Sequence, residues 1–422
     1  EIYTLSLHDA LPIFDYIADV THYVEEGSII DKEALNRATS VYLVDRTIPM
    51  LPEKLCNNLC SLRPDEDKLA YSVIFELDED AFVRNSRIVH TVIRSNRRFC
   101  YEEVQAIIEN QKGEYADEIL VLDKMAKKLR ERRFKNGAVN FDRVEVTFNI
   151  DEKGKPLSVY FKESKDANKL IEEFMLLANR TVAERIGKVG KDKKAKTFVY
   201  RVHDLPDPEK LENLSQFISR FGYKLRTSGS RNDITKSLNN LLNDVHGKKE
   251  ENLIETISVR AMMKAYYSTH NIGHYGLAFD YYTHFTSPIR RYPDMMVHRL
   301  LTHYLEQEGR SANLKKYESM CEQSSKMEEI AAQAELASIK YKQVEFMADK
   351  IGQVFEGVIS GICEWGIYVE LNDSKCEGLV PMRDLDDDYY EFDEKNYCLR
   401  GRRDHHVYQL GDAMKVKVAR AI

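Results

Sequence analysis

The chain has 422 residues, of which 43% are hydrophobic and 31% are charged. This composition is typical of a soluble protein with a sizeable core, and the length predicts two or three domains. A formal net charge of −7 argues against a basic surface that coats the whole protein for nucleic-acid binding, although it allows a narrow basic channel.

Neither targeting segments nor metal-binding cysteine pairs are evident. No apolar run approaches the length of a membrane span, and no secretory signal is recognisable. The seven cysteines are scattered, and Cys56 and Cys60 have no matching pair downstream. An odd, scattered set predicts a reducing, cytoplasmic location rather than a disulfide scaffold.

The first half of the chain predicts alternating strands and helices. Residues 1–14 match no recognisable pattern, and we interpret them as a non-native leader outside the fold, with a divergent strand as the alternative. Short β-branched runs then predict strands, and longer periodic segments predict helices. The predicted strands cover 72–77, 87–93, 144–150 and 157–161, the last two as a hairpin; the predicted helices cover 101–109, 116–133 and 169–186.

The second half predicts helices as far as residue 350 and strands after it. The helices cover 209–221, 233–243, 252–267, 293–307 and 314–350. Strand patterns follow at 353–359, 366–371, 377–380 and 414–418. The change of pattern predicts a domain boundary at residue 351.

Two adjacent arginines stand out at residues 283–294 (THFTSPIRRYPD). Pro288 biases the residue before it towards an extended conformation, and Pro293 fits the first turn of a helix. Arg290 and Arg291 therefore lie on a stiff connector. A guanidinium group is suited to bidentate binding of phosphate, but it pairs equally well with a carboxylate such as Asp294 or Asp280. Both interpretations remain open at this point.

Several separate motifs resemble the ribonuclease II and ribonuclease R family of 3'-to-5' exoribonucleases. Residues 283–294 resemble its signature, and residues 17–24 (IADVTHYV), 39–42 (TSVY), 48–52 (IPMLP) and 59–62 (LCSL) follow its order and spacing. The run Arg-Arg-Tyr-Pro-Asp favours the ribonuclease R branch. The resemblance extends from about residue 17 to 350, and residues 351–422 resemble an S1 RNA-binding domain.

The resemblance implies an α+β architecture in two folded parts. After the leader 1–14, residues 15–350 would form a mixed α/β catalytic (RNB) domain of the ribonuclease II type that lacks its N-terminal part. Residues 351–422 would form a five-stranded OB-type (S1) β-barrel, incomplete at its C-terminus, with 414–418 as its fourth strand.

The resemblance also implies an activity. A member of this family hydrolyses single-stranded RNA processively from its 3' end to nucleoside 5'-monophosphates with the help of Mg²⁺. Arg290, with Arg291 beside it, would then stabilise negative charge on the scissile phosphate. A monomer is expected.

The family's metal-binding aspartates are missing from their place. They precede the Ile-Ala-Asp-Val motif, where this chain has the leader, with Asp9 as its single aspartate. Asp15 and Asp19 lie near the expected position without matching the motif. No metal ligand is therefore assigned.

The resemblance assigns further residues to RNA binding. Tyr42 and Phe141 would stack on the terminal bases, Tyr101 would contact ribose, and Glu173 would accept a hydrogen bond from a ribose 2'-hydroxyl. In the S1-like part, Trp365 and Tyr368 would stack on bases. All of them except Tyr368 have an alternative: core positions for Tyr42, Phe141 and Trp365, a helix cap for Tyr101, and a solvent-facing acidic pair for Glu173.

Two hypotheses follow. The first is an exoribonuclease of the ribonuclease R type; the alternative is a catalytically inactive RNA-binding fragment, because the aspartates are missing. A translation factor carrying an S1 domain is a more distant hypothesis, since an S1 barrel does not require the motifs at 17–62 and 283–294.

Overall fold

The computed structural model describes residues 11–139, 145–190, 193–248, 251–396 and 398–422. The first part of the chain contains β1 Leu11–Ala18, α1 Val20–Tyr23, α2 Ile29–Arg37, β2 Val41–Tyr42, β3 Thr47–Ile48, β4 Asp67–Leu77, β5 Val83–Arg94, α3 Tyr101–Asn110, α4 Ala116–Lys135, β6 Glu145–Ile150, β7 Pro156–Lys162 and α5 Asp166–Gly187. The middle part contains β8 Tyr200–Val202, α6 Pro208–Ile218, α7 Arg231–Val245, α8 Glu251–Ala261, β9 Tyr266–Ser268, α9 Tyr292–Leu301 and α10 Leu314–Ala348.

Strand β1 starts inside residues 1–14, the segment interpreted above as a leader. It pairs antiparallel with β4 from Leu11 opposite Leu77 to Ala18 opposite Ala70. Within it, Ile17 is buried, whereas Phe14 and Tyr16 on the other face are exposed. Residues 11–14 therefore belong to a regular strand. The folded part begins at least four residues before residue 15, where it was expected to start. The origin of the leader stays a prediction.

Most predicted helices and strands are confirmed, with one clear error. The helix predicted over 252–267 ends at Ala261, and Tyr266–Ser268 is strand β9, which pairs with β8. The residues Tyr-Tyr-Ser favour an extended conformation once β8 offers them a partner. The hairpin of β6 and β7 is confirmed within its described residues, while residue 144 lies outside them.

The main core lies between the sheet β1–β4–β5 and the helices α5 and α9. It contains the buried side chains Tyr71, Phe75, Phe174 and Met296. Helix α10 runs across this body for 35 residues and contacts β2, β7 and β9. This arrangement holds the connector before α9 against the segment that leads into β2.

The C-terminal part contains β10 Val354–Cys363, β11 Gly366–Leu371, β12 Glu377–Pro381, β13 Tyr390–Asp393, β14 Cys398–Gly401, β15 Val407–Gln409 and β16 Ala413–Lys417. One sheet has the order β12–β11–β10–β16 and another β13–β14–β15. The expected strand near 414–418 forms as β16, beside β10. It is not the fourth strand of the domain in chain order, because the three short strands β13, β14 and β15 precede it.

One hydrophobic cluster joins this domain to the helices α6 to α8. Leu214 and Leu238 pack in the same cluster as Ile367 and Leu399 of the S1-like sheets. Shared burial of this kind fixes the domain against the helices instead of tethering it through a linker. In the described part of the chain, no helix is both long enough and apolar enough to span a membrane.

Candidate functional site

The connector before α9 is held by backbone hydrogen bonds to residues 38–40. Ser40 N donates to Arg290 O at 3.0 Å, and Tyr292 N donates to Ala38 O at 2.8 Å. The amides of Arg290 and Arg291 both donate to Ser287 O, at 3.2 and 3.1 Å. Backbone bonds on both sides of each arginine confirm that the connector is rigid.

Arg291 is committed to a structural ion pair. Its Nε and a terminal nitrogen donate to the two carboxylate oxygens of Asp294, each at 2.8 Å. Asp294 is fully buried and also accepts a hydrogen bond from Ser287 N at 2.7 Å. Burial opposes the charge of Arg291, but Asp294 raises the pKa of the guanidinium above its ordinary value. The carboxylate alternative is therefore correct for Arg291, and a direct phosphate contact by this side chain would break the pair.

Arg290 is in a different position. Its side chain is exposed, and its terminal nitrogen donates only to Ser287 Oγ, at 3.3 Å, among the described residues. The main chain is fixed, so the guanidinium projects from a rigid base. This is the geometry expected of a group that binds an incoming phosphate.

Tyr42 lies two residues beyond Ser40, on the segment that holds Arg290. Its side chain is 43% exposed, so the core alternative is wrong for this residue. Tyr101 is the first residue of α3 and is 45% exposed. Phe141 lies outside the described residues. Tyr42 and Arg290 are thus brought to one region by tertiary structure, and both present accessible side chains.

Glu173 does not face solvent. Its side chain is 3% exposed, and Arg133, equally buried, donates to its carboxylate through Nε at 3.2 Å. Burial raises the pKa of Glu173, and Arg133 opposes this rise. The solvent-facing alternative is wrong. A ribose hydroxyl would have to displace Arg133, so the expected RNA contact at Glu173 meets a competing ion pair.

The aromatic residues of the S1-like part are accessible. Trp365 lies in the turn between β10 and β11 and is 63% exposed, which excludes the core alternative. Tyr368, on β11, is half-buried. Two arginines of the same domain are held by acids: Arg402 pairs with Glu391, and Arg403 pairs with Asp388 at 3.3 Å.

Asp15 is a buried carboxyl on β1, on the same face as Ile17. Its side chain lies in an apolar environment, and its Oδ2 has no hydrogen-bond partner among the described residues. Burial raises its pKa to about 7. A protonated carboxyl in an apolar setting is a poor ligand for a divalent cation.

Asp19 lies in a cleft of about 410 Å³ with His90 and Thr302. Its Oδ2 is 2.9 Å from His90 Nδ1, and its Oδ1 accepts from His22 N at 3.2 Å as the cap of α1. Burial alone would raise the pKa of Asp19, but the hydrogen bond from His90 brings it below its ordinary value. His90 was not identified from the sequence, since nothing in a strand pattern marks it as a partner of Asp19.

These carboxylates do not form a metal centre. Across the described ranges, no three His, Cys, Asp or Glu side chains come together in a group that could hold a metal ion. The described residues therefore do not fit the Mg²⁺ site that the resemblance implies.

The chain matches two family models. The RNB domain model matches residues 3–307, and the S1 RNA binding domain model matches residues 348–421. The ribonuclease R of Aquifex aeolicus is 40% identical over 415 residues, which cover 96% of this chain and 58% of that protein. The chain thus spans under two thirds of this relative's length.

Solved structures show the same fold. The ribonuclease R of Mycoplasma genitalium, in complex with ribose-methylated single-stranded RNA, matches with a TM-score of 0.88 and 27% identity over 97% of this chain and 65% of that one. Yeast Ssd1, described as a pseudonuclease, matches with a TM-score of 0.72 and 21% identity over 92% of this chain and 48% of that one. At that identity, Ssd1 supports the fold alone.

Proposed function

The chain belongs to the RNB-domain family, and we propose that it carries the RNA-binding and phosphate-contacting part of a 3'-to-5' exoribonuclease of the ribonuclease R type. The accessible guanidinium of Arg290 on a rigid connector is the observation that carries this proposal. RNA would reach it with its 3' end leading, and products would be nucleoside 5'-monophosphates. The seven free cysteines fit a reducing cytoplasm.

Arg290 would stabilise charge as it develops on the phosphate being cleaved. A preorganised donor of this kind is commonly worth about 3 to 4 kcal/mol of barrier. Because Arg291 neutralises Asp294, the negative charge next to the connector is cancelled internally. Arg290 is therefore not attracted away from a phosphate by the nearest buried carboxylate.

Tyr42 would hold the terminal base by stacking, which accepts any base. Trp365 and Tyr368 would hold RNA further from the 3' end. A nuclease of this class is expected to use Mg²⁺, but the described residues provide no ligand set for it, and no step of the reaction is assigned to it.

A second candidate function is RNA binding without cleavage. It is favoured by the same absence, among the described residues, of a carboxylate cluster that could hold a metal ion. Both candidates share the RNA path, so binding alone does not separate them.

One assay separates the two candidates. The chain is incubated with Mg²⁺ and an RNA labelled at its 5' end, and the products are resolved by length. We expect binding with weak or no shortening for the chain as given. A ladder that shortens rapidly from the 3' end would establish the exoribonuclease and reveal metal ligands beyond those described. Failure to bind RNA would reject both candidates.

A further inference from the structure

A cleft of about 490 Å³ opens where helix α6 meets the sheet β13–β14–β15. One wall consists of Phe217, Arg220 and Phe221, from the end of α6 and the 3-10 turn Ser219–Phe221. The opposite wall includes Arg400 and Gln409. These elements differ from those that carry Arg290 and Tyr42.

The sheet presents one face to the core and the other to this cleft. Leu399 is fully buried and pairs with Tyr408 across β14 and β15, on the core face. The neighbouring pairs, Cys398 opposite Gln409 and Arg400 opposite Val407, lie on the cleft face. Successive side chains of a strand point to opposite faces, so the strand that buries Leu399 in the core places its neighbour Arg400 in the cleft.

Arg220 and Arg400 form a pair of cations across the cleft. Both side chains line the cleft together with Cys398. Within the described ranges, neither has a carboxylate partner at ion-pair distance. In a chain of net charge −7, two arginines that line one cleft without an ion-pair partner among the described residues favour the binding of an anion there.

The nearest acids are occupied by other groups. Glu391 stands directly opposite Arg400 on β13, but its carboxylate accepts hydrogen bonds from Arg402. Asp393, opposite Cys398, accepts hydrogen bonds from the backbone N of Asn396, at 3.0 Å, and from the side-chain amide of Asn396. Asp393 keeps its negative charge, because Asn396 is neutral, and it acts on Cys398 of the same cleft. Among the described residues, however, neither acid lies at ion-pair distance from Arg220 or Arg400.

We propose that this cleft binds a phosphate group of a nucleotide between Arg220 and Arg400, with a base against the ring of Phe221. Two guanidinium groups can donate hydrogen bonds to the oxygens of one phosphate. An aromatic ring can stack on any of the four bases. Phe217 and Phe221 lie 5.6 Å apart by ring centroids and form the apolar wall that stacking requires. The amide of Gln409 adds a donor and an acceptor for the edge of a base.

The proposal rests on the proposed function, since RNA is the source of phosphate that the RNB and S1 domains imply. The same chemistry is offered by a free nucleoside 5'-monophosphate. A backbone phosphate would make the cleft an additional contact along an RNA chain, whereas a monophosphate would make it a small-molecule site.

The test compares two double variants with equal loss of charge. Arg220→Gln with Arg400→Gln removes the cations of the cleft. Arg84→Gln with Arg94→Gln is the control, because these arginines are exposed on β5 and pair with Asp78 and Asp67. Binding of a fluorescent oligouridylate to the full chain is measured by anisotropy over a range of salt concentrations.

We expect the cleft variant to bind about tenfold more weakly than the control, in line with the loss of charge-assisted hydrogen bonds. The slope of log affinity against log salt should fall by about 0.7, as for one lost phosphate contact on a single strand. Equal affinities and slopes for the two variants would overturn the proposal. Thermal melting of both variants checks that the fold is intact.

Uridine 5'-monophosphate is the second probe. If it competes with the oligouridylate in the parent but not in the cleft variant, the cleft takes a free mononucleotide. If it fails to compete while the cleft variant still loses affinity, the ligand is a backbone phosphate. A parent chain that binds no oligouridylate would reject the proposed function itself, whereas a parent that binds and a cleft variant that matches the control would reject only this site.

Discussion

Arg291 and Asp294 form a buried, two-pronged ion pair, each hydrogen bond 2.8 Å long, next to an arginine, Arg290, that makes no such pair with any described residue. The two adjacent arginines of the motif thus have separate roles. Arg291 is held by Asp294, whereas the side chain of Arg290 is exposed and is the one that we propose contacts phosphate. This division of roles makes the two side chains separable by experiment.

Replacing Arg291 should cost stability, and replacing Arg290 should not. Arg291→Ala leaves the carboxylate of Asp294 buried without its partner, and breaking a buried pair in this way costs about 3–5 kcal/mol. Arg290→Ala removes an exposed side chain, so the free energy of unfolding should change by less than about 0.5 kcal/mol. Urea denaturation of both variants measures the difference. Equal destabilisation by the two would contradict the division of roles.

Arg290→Ala should reduce function without loss of fold. In a form of the protein that cleaves RNA, we expect turnover to fall by about 100-fold or more, the size of effect seen when one preorganised donor is removed. The measurement is single-turnover cleavage, with the protein in excess of the RNA and at a concentration above the dissociation constant of the complex. Normal turnover with normal RNA affinity would remove the role proposed for Arg290.

Asp15 should make the protein less stable as pH rises. Its pKa is raised from 3.8 to about 7 in the folded state, so the folded protein retains a proton that the unfolded chain loses. Stability should therefore fall between about pH 4 and pH 7, by up to about 4 kcal/mol, and then level off. Unfolding free energies measured across this range check the slope.

Asp15→Asn should abolish most of that dependence, because the amide has no charge to desolvate. The variant should be more stable than the parent at pH 8 and similar to it at pH 4. Asp373→Asn, at an exposed turn, is the matched control and should keep the slope of the parent. An unchanged slope in Asp15→Asn would show that another group is responsible.

His90 should titrate above its ordinary range. The hydrogen bond from His90 to Asp19 raises its pKa, so its contribution to stability is present below about pH 6.5 and is lost as pH rises through the folded-state pKa. The pKa of Asp19 is lowered in the folded state, so the contribution of Asp19 to stability is lost only when the pH falls through that lowered pKa. NMR titration of the imidazole reports the value directly. Asp19→Asn should lower it, whereas Asp67→Asn on the same sheet should not.

Glu173 should prove structural. Glu173→Gln removes the charge of the buried partner of Arg133 and leaves that guanidinium only the more exposed carboxylate of Glu172, at 3.5 Å. A loss of about 3 kcal/mol is therefore expected in the free energy of unfolding. Discrimination between RNA and DNA oligonucleotides of one sequence should stay as it is in the parent. A variant of normal stability that binds RNA and DNA alike would instead support the ribose contact that the sequence motif implies.

Trp365 should report RNA binding by its own fluorescence. It is the single tryptophan of the chain and is largely exposed, so a stacked base should quench its emission. Trp365→Ala should weaken binding by about 1–3 kcal/mol, the usual range for one stacked base. Tyr389→Ala is the control, because Tyr389 is another exposed aromatic of this domain. The same loss in both variants would argue against a specific contact.

The sequence by itself determined the order of helices and strands and the family. Periodicity and turn residues are local, so they identified the long helices and the strands β4 to β7, β10 to β12 and β16. Separate motifs in a fixed order identified the RNB and S1 domains. The β9 segment was mistaken for helix because its partner β8 lies more than sixty residues away. Strands β13 to β15 were missed because acidic turn residues interrupt their short apolar patterns.

Tertiary structure alone decided which charged groups are available. Arg290 and Arg291 are alike in sequence, but only one meets a buried carboxylate, and Glu173 meets Arg133 from a different helix. The cleft between Arg220 and Arg400 joins residues 180 positions apart. Pairing energies depend on distance and burial in three dimensions, and these are set by packing between elements rather than by spacing along the chain.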